Sequence, residues 1–168
     1  SDFASNPDNQ NRFDLVMAHA FLDIVNLEES LKSLVQLACT NGLLYFPITF
    51  DGESIFEPQH NHDTIVLSQY HNSMCDKGNS KTGRQLFHAL RKESVEILEM
   101  GSSDWIVYPK NDKYEAEEHF FLNYIVTMIE KSVGKGALEW AISRRQDIDK
   151  GRLVYIAHQI DCLARKKR

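Results

Sequence analysis

The chain has 168 residues, of which 42% are hydrophobic and 26% charged, with a formal net charge of −5. This is enough for a single domain, residues 1–168, with a sizeable core, and too little for two of ordinary size. The acidic balance argues against non-specific nucleic-acid or membrane-surface binding, and no apolar run approaches the roughly 18–20 residues that span a bilayer.

The opening stretch, SDFASNPDNQN, is polar and reads as a loop without the basic and apolar regions of a secretion signal. FDLVMAHAFLDIVN follows. Its apolar run Phe13–Ala20 predicts a parallel strand covered on both faces. In NLEESLKSLVQLA, Leu27, Leu31, Leu34, Val35 and Ala38 recur at three- and four-residue steps, so a helix is expected with Asn26 as its cap. Asn41-Gly42 should end that helix, and LLYFPITF should form a second buried strand. Strand, helix and strand with short connections predict a parallel βαβ unit.

Residues 51–79 are rich in His, Asn and aromatics without a sustained period, and read as a lid or acceptor loop. Ser80–Lys92 is expected to be helical, and VEILEMGSSDWIVYP extended with a break at Gly101. EAEEHFFLNYIVTMIEKSV and ALEWAISRRQDIDKG predict helices ended by Gly134 and Gly151. In the first of these, Phe120, Phe121, Tyr124, Ile125 and Met128 are expected in the core, as is Trp105 before it. RLVYIAHQIDCLARK closes the chain as a strand whose alternating His158, Gln159 and Asp161 should face solvent. The fold class is α/β. Three widely spaced cysteines, Cys39, Cys75 and Cys162, fit a reducing, cytoplasmic setting better than a disulfide framework. They lack metal-ligand spacing, and His60, His62, Asp63 and His71 fall in the irregular loop, so no metal site is expected.

In this order the elements resemble the later half of a class I S-adenosylmethionine-dependent methyltransferase. FDLVMAHAFLDIVN, the helix after it and NGLLYFPITFDG resemble that family's fourth strand, following helix and fifth strand. GSSDWIVYP and GRLVYIAHQIDCLARK resemble its sixth and seventh strands, which pair antiparallel at the sheet edge. The resemblance covers nearly everything from Arg12 onward. It implies an incomplete Rossmann-like sheet flanked by helices, S-adenosylmethionine as cofactor and a small-molecule acceptor. The family's glycine-rich cofactor loop has no counterpart: the only Gly-x-Gly is Gly134-Lys135-Gly136, between two helices. The chain is therefore read as the C-terminal part of such a domain. It is expected to be inactive alone, and to self-associate or to pair with the missing N-terminal half.

The resemblance also assigns residues. Ala18, His19, Ala20 and Phe21 would contact the cofactor near the reacting methyl group, with His19 as a candidate base or else a hydrogen-bonded strand-end histidine. Asp23 is expected to orient backbone. Thr49 and Asp51, past the second strand, would face the same crevice or serve the turn, and Tyr70 would cover the acceptor with Phe50 and Phe56. A competing expectation is a non-catalytic α/β module used for interaction or dimerisation.

Overall fold

The computed structural model describes residues 2–76 and 78–168. The polar opening is not a plain loop: it holds a short helix, α1 (Asp2–Ser5), and a 3-10 turn at Pro7–Asn9 capped by Asn6. Strand β1 covers Phe13–Met17, and helix α2 covers Leu27–Leu37. Asn26 caps α2 as expected, its side chain accepting the Glu29 amide at 3.2 Å, with Glu28 and Glu29 near the positive end of the helix dipole.

Strand β2 starts at once and runs through Ala38–Glu57. The expected stop at Asn41-Gly42 is instead an irregularity inside this strand, where Asn41 takes a positive φ of 66°. A Cβ on Gly42 would lie 2.9 Å from the Phe13 and Cys39 carbonyls, so this crossing of β1 and β2 accepts no side chain.

The expected long loop is also corrected. Residues up to Glu57 continue β2, and Asp63–Ser73 form helix α3, leaving only short connections. Its polarity hid the helix: α3 buries only Val66 fully, so the sequence carries no apolar stripe. Helix α4 (Thr82–Leu90), strands β3 (Val95–Ser102) and β4 (Trp105–Val107), helices α5 (Glu118–Val133) and α6 (Leu138–Asp149), and strand β5 (Val154–Lys166) follow. The extended stretch breaks at Ser103-Asp104, not at Gly101. Gly134 and Gly151 end α5 and α6 with positive φ, as their positions predict.

The five strands form a mixed sheet in the order β1-β2-β5-β3, with β4 also paired to β5. β1 and β2 are parallel, Leu15 opposite Leu43 and Met17 opposite Tyr45. β3 and β4 both run antiparallel to β5. β1 is thus an outer strand, and Leu15 and Met17 are about half exposed (51% and 54%), contrary to the expectation of cover on both faces.

The chain divides into two compact units. One comprises Ser1–Gly52, Asp76–Asp104 and His158–Arg168, the other Glu53–Cys75 and Trp105–Ala157. In the first, Leu31 and Val35 of α2 and Leu86 and Leu90 of α4 pack with Val16, Leu44, Phe46, Cys162 and Ala164 of the sheet. Each large side chain so buried contributes about 1.5–3 kcal/mol.

In the second unit, α5 turns Leu122, Val126 and Ile129 inward, and α6 adds Trp140 and Ile148. The expected face of α5 was wrong: Phe120 is 67% exposed and Tyr124 54%. A helix that is apolar nearly all round does not announce its buried side. Trp105 is likewise not core, being 48% exposed against Phe121, 4.2 Å between ring centroids. Among the described residues, no helix is long and apolar enough to cross a membrane.

Candidate functional site

The carboxyl end of β1 lies beside the middle of its parallel neighbour β2, Met17 opposite Tyr45, and β2 runs on to Glu57. Pairing continues past β1: the Ala18 amide donates to the Tyr45 carbonyl, and the Ala20 amide to the Pro47 carbonyl, both at 3.1 Å. Two residues there take a positive φ, Ala20 beyond β1 with 47° and Ile48 within β2 with 55°. A left-handed backbone costs an L-residue roughly 1–2 kcal/mol, and it is least expected of a β-branched one. Such strain persists only where surroundings over-determine it.

Here Asp161 of β5 provides the restraint. Its Oδ1 accepts the Ile48 amide at 2.8 Å and the Ser103 hydroxyl at 2.5 Å, while Oδ2 accepts the Tyr45 hydroxyl at 3.2 Å. That hydrogen bond, aided by the carboxylate's charge, raises the Tyr45 phenol above its ordinary value.

Of the residues expected to face a ligand, Ala18 is buried, His19 and Ala20 are exposed, and Phe21 is partly exposed. Thr49 is buried, and its Oγ1 has no hydrogen-bond partner. Asp51 is buried and engaged: its carboxylate receives the Arg84 backbone amide and the Arg84 Nε at 3.1 and 3.2 Å. Arg84 Nη2 also donates to the Asp51 carbonyl at 2.6 Å. Helix α4 has no side-chain cap of its own at Lys81, so Asp51 supplies from β2 the acceptor that its first turn lacks. Gly83 permits this approach, since a Cβ there would lie 2.9 Å from both the Thr49 carbonyl and the Asp51 Cβ.

Two features escaped the sequence reading. Arg84 sits on a helix and gave no sign of its partner. His158 was expected in solvent on an outer strand, yet β5 lies between β2 and β3. Its Nδ1 is 2.7 Å from Asp104 Oδ1, and its Nε2 is 3.7 Å from Asp51 Oδ2. Gln159 is buried, and Asp161 carries the network above. Partial burial would raise the Asp104 carboxyl, but hydrogen bonds from Ser102, His158 and the Gln159 amide outweigh it and hold the group below its ordinary value.

Asp23 lies just past β1, and its backbone carbonyl accepts the Asn79 amide at 2.9 Å. Its Oδ1 is buried without a partner, and burial raises the carboxyl above its usual range. Tyr70 belongs to α3 in the second unit, where it is half-buried and burial raises its phenol. Among the described residues, no three His, Cys, Asp or Glu side chains converge as metal ligands do.

No protein-family profile matches the sequence, and no curated protein resembles it. Solved structures do resemble the fold. A Bacillus halodurans C-125 protein assigned as a methyltransferase aligns over 100% of this chain and 70% of its own, at 14% identity and a TM-score of 0.54. The YcgJ protein of Bacillus subtilis aligns over 98% of this chain and 68% of its own, at 9% identity and a TM-score of 0.48. A geranyl diphosphate methyltransferase solved in complex with SAM aligns over 98% of this chain and 55% of its own, at 10% identity and a TM-score of 0.46. The chain therefore spans between about half and 70% of these structures. With its β1-β2-β5-β3 order, its parallel first pair and its antiparallel last strands, it carries part of the class I methyltransferase fold.

Proposed function

We propose that this chain is the C-terminal part of an S-adenosylmethionine-dependent methyltransferase acting on a small acceptor. The observation that supports this reading best is the arrangement of the sheet, with β5 inserted between β2 and β3 and antiparallel to β3. In open α/β sheets ligands lie outside the carboxyl ends of the parallel strands. There Ala18, His19, Ala20 and Phe21 would form a wall against the cofactor, with His19 as the candidate base. Thr49, whose hydroxyl is unpaired, is a candidate acceptor contact beside Asp51.

These residues do not fit the whole cofactor. Its amino-acid end needs donors and its ribose needs acceptors, but the Ala18 and Ala20 amides are already spent on β2. His19, Ala20 and Phe21 offer one exposed side of a site. The 168-residue chain is therefore expected to bind S-adenosylmethionine weakly or not at all by isothermal titration, while a longer chain adding a glycine-rich loop binds it and transfers methyl groups. A micromolar dissociation constant for the 168-residue chain would contradict this account of the site, and a longer chain without transfer would remove the enzyme reading.

A second reading is favoured by one observation: β1 presents half-exposed Leu15 and Met17 on an outer strand. An α/β module that pairs with another chain through that strand needs no cofactor.

A further inference from the structure

Ser54 is buried to 6% exposure, yet it lines a cavity of about 420 Å³ in the second unit, between the last residues of β2 and helix α3. Strand alternation places Ser54 and Phe56 on the buried side of β2. Two side chains converge on the serine hydroxyl. His71, in the last turn of α3, holds its Nε2 3.1 Å from Oγ. Tyr155 of β5 is hydrogen-bonded to the same group, and burial pushes its phenol up to about 12, so it stays neutral and keeps a proton to donate. With the phenol donating to Oγ, the serine's own proton is directed at His71 Nε2.

From this convergence we infer that Ser54 is a nucleophile toward small, uncharged carboxylic esters, with His71 as its base. A hydroxyl becomes nucleophilic when a base within hydrogen-bond reach, about 2.6–3.2 Å, accepts its proton. The imidazole is held in place from its other neighbour: the Tyr70 ring packs beside it, 5.6 Å between ring centroids. The cavity's size lies within the roughly 300–1,000 Å³ of ordinary small-molecule sites. Phe56 and Leu67 give its wall an apolar part against which a short acyl chain rests. Among the described lining residues there is no lysine or arginine to anchor an anion, which selects an uncharged ester.

In the first step Oγ bonds to the ester carbonyl carbon while its proton passes to His71 Nε2. The bond to the alcohol oxygen then breaks, and His71 gives the proton to the departing alcohol. Water attacks the resulting Ser54 ester with the same imidazole as base, which frees the carboxylic acid and restores the serine. Water is the only co-reactant. The inference therefore stands apart from the methyltransferase reading, and neither depends on the other.

The test treats the full 168-residue chain with diisopropyl fluorophosphate, an uncharged probe in which Oγ bonds to phosphorus as fluoride leaves. Peptide mass spectrometry should place the adduct on Ser54. His71→Gln keeps a hydrogen-bonding side chain without a base and should slow labelling about a hundredfold. Unfolding the wild-type chain in urea should slow it as much, and this comparison holds even where the variant fails to fold. The untreated chain should also hydrolyse p-nitrophenyl acetate, with about a tenfold or greater loss in Ser54→Ala. No adduct, an adduct only on other residues, or labelling of Ser54 as fast in urea as in the folded chain would overturn the proposal. So would equal labelling of a folded His71→Gln chain, or equal ester hydrolysis by wild type and Ser54→Ala.

Discussion

Asp23 shows how much a single carboxyl can owe to its surroundings. Its Oδ1 is buried and unpartnered, and burial raises the group above its ordinary value of 3.8, a shift that its own backbone hydrogen bond only partly opposes. A raised pKa means the folded chain holds this proton more tightly than the unfolded chain does. The contribution to stability is then complete below pH 3.8 and is lost as pH rises through the folded value. Asp23→Asn keeps the shape and removes the ionisable group. It should raise the melting temperature at pH 7 and have little effect at pH 3. Equal gains at both pH values would exclude charge burial as the cause. Asp104 titrates in the opposite sense: its lowered carboxyl stabilises the fold above its unfolded value and loses that contribution in acid.

At the level of elements, α6 is pinned by Arg144, which is buried to 1% exposure. Its guanidinium binds Asp63 at the start of α3, the Pro58 carbonyl at 2.6 Å and Asp147 at 3.3 Å, and lies 5.8 Å from the Phe56 and Trp140 ring centroids. Removing one partner of such a group leaves the others buried and uncompensated, at about 3–5 kcal/mol. Arg144→Ala should lose that much in urea denaturation. Arg144→Lys should recover only part of it, because an ammonium lacks the planar fork that meets both Asp63 oxygens. A loss below about 1 kcal/mol for Arg144→Ala would assign the second unit's stability to its apolar contacts alone.

For the whole molecule, the outer position of β1 has the largest consequence. Outer strands present unpaired backbone groups, and proteins usually blunt them with charge, proline or a bulge. β1 has an irregular register around exposed Asp14, but beyond it carries Leu15 and Met17, both half exposed. The 168-residue chain should therefore self-associate at concentrations on the order of tens of micromolar, with sedimentation coefficients rising with concentration. Leu15→Lys combined with Met17→Lys should give a folded monomer. A wild-type chain that sediments as a monomer with exchangeable Leu15 and Met17 amides would show that this strand is not an association surface.

Much of the fold was legible from the sequence because local signals and long-range order agreed. Asn26 before two glutamates marks the start of a helix, and glycines mark the ends of α5 and α6. Two kinds of information were not local. Which face of α5 is buried depends on what packs against it, and Phe120 looks no different from Leu122 in a helix that is apolar nearly all round. Asp51 meets Arg84, 33 positions on, where β2 passes the start of α4, and Asp104 meets His158, 54 positions on, through the pairing of the last strands with β5. Charge pairing across a sheet leaves no period in the sequence, so only the tertiary structure decided it.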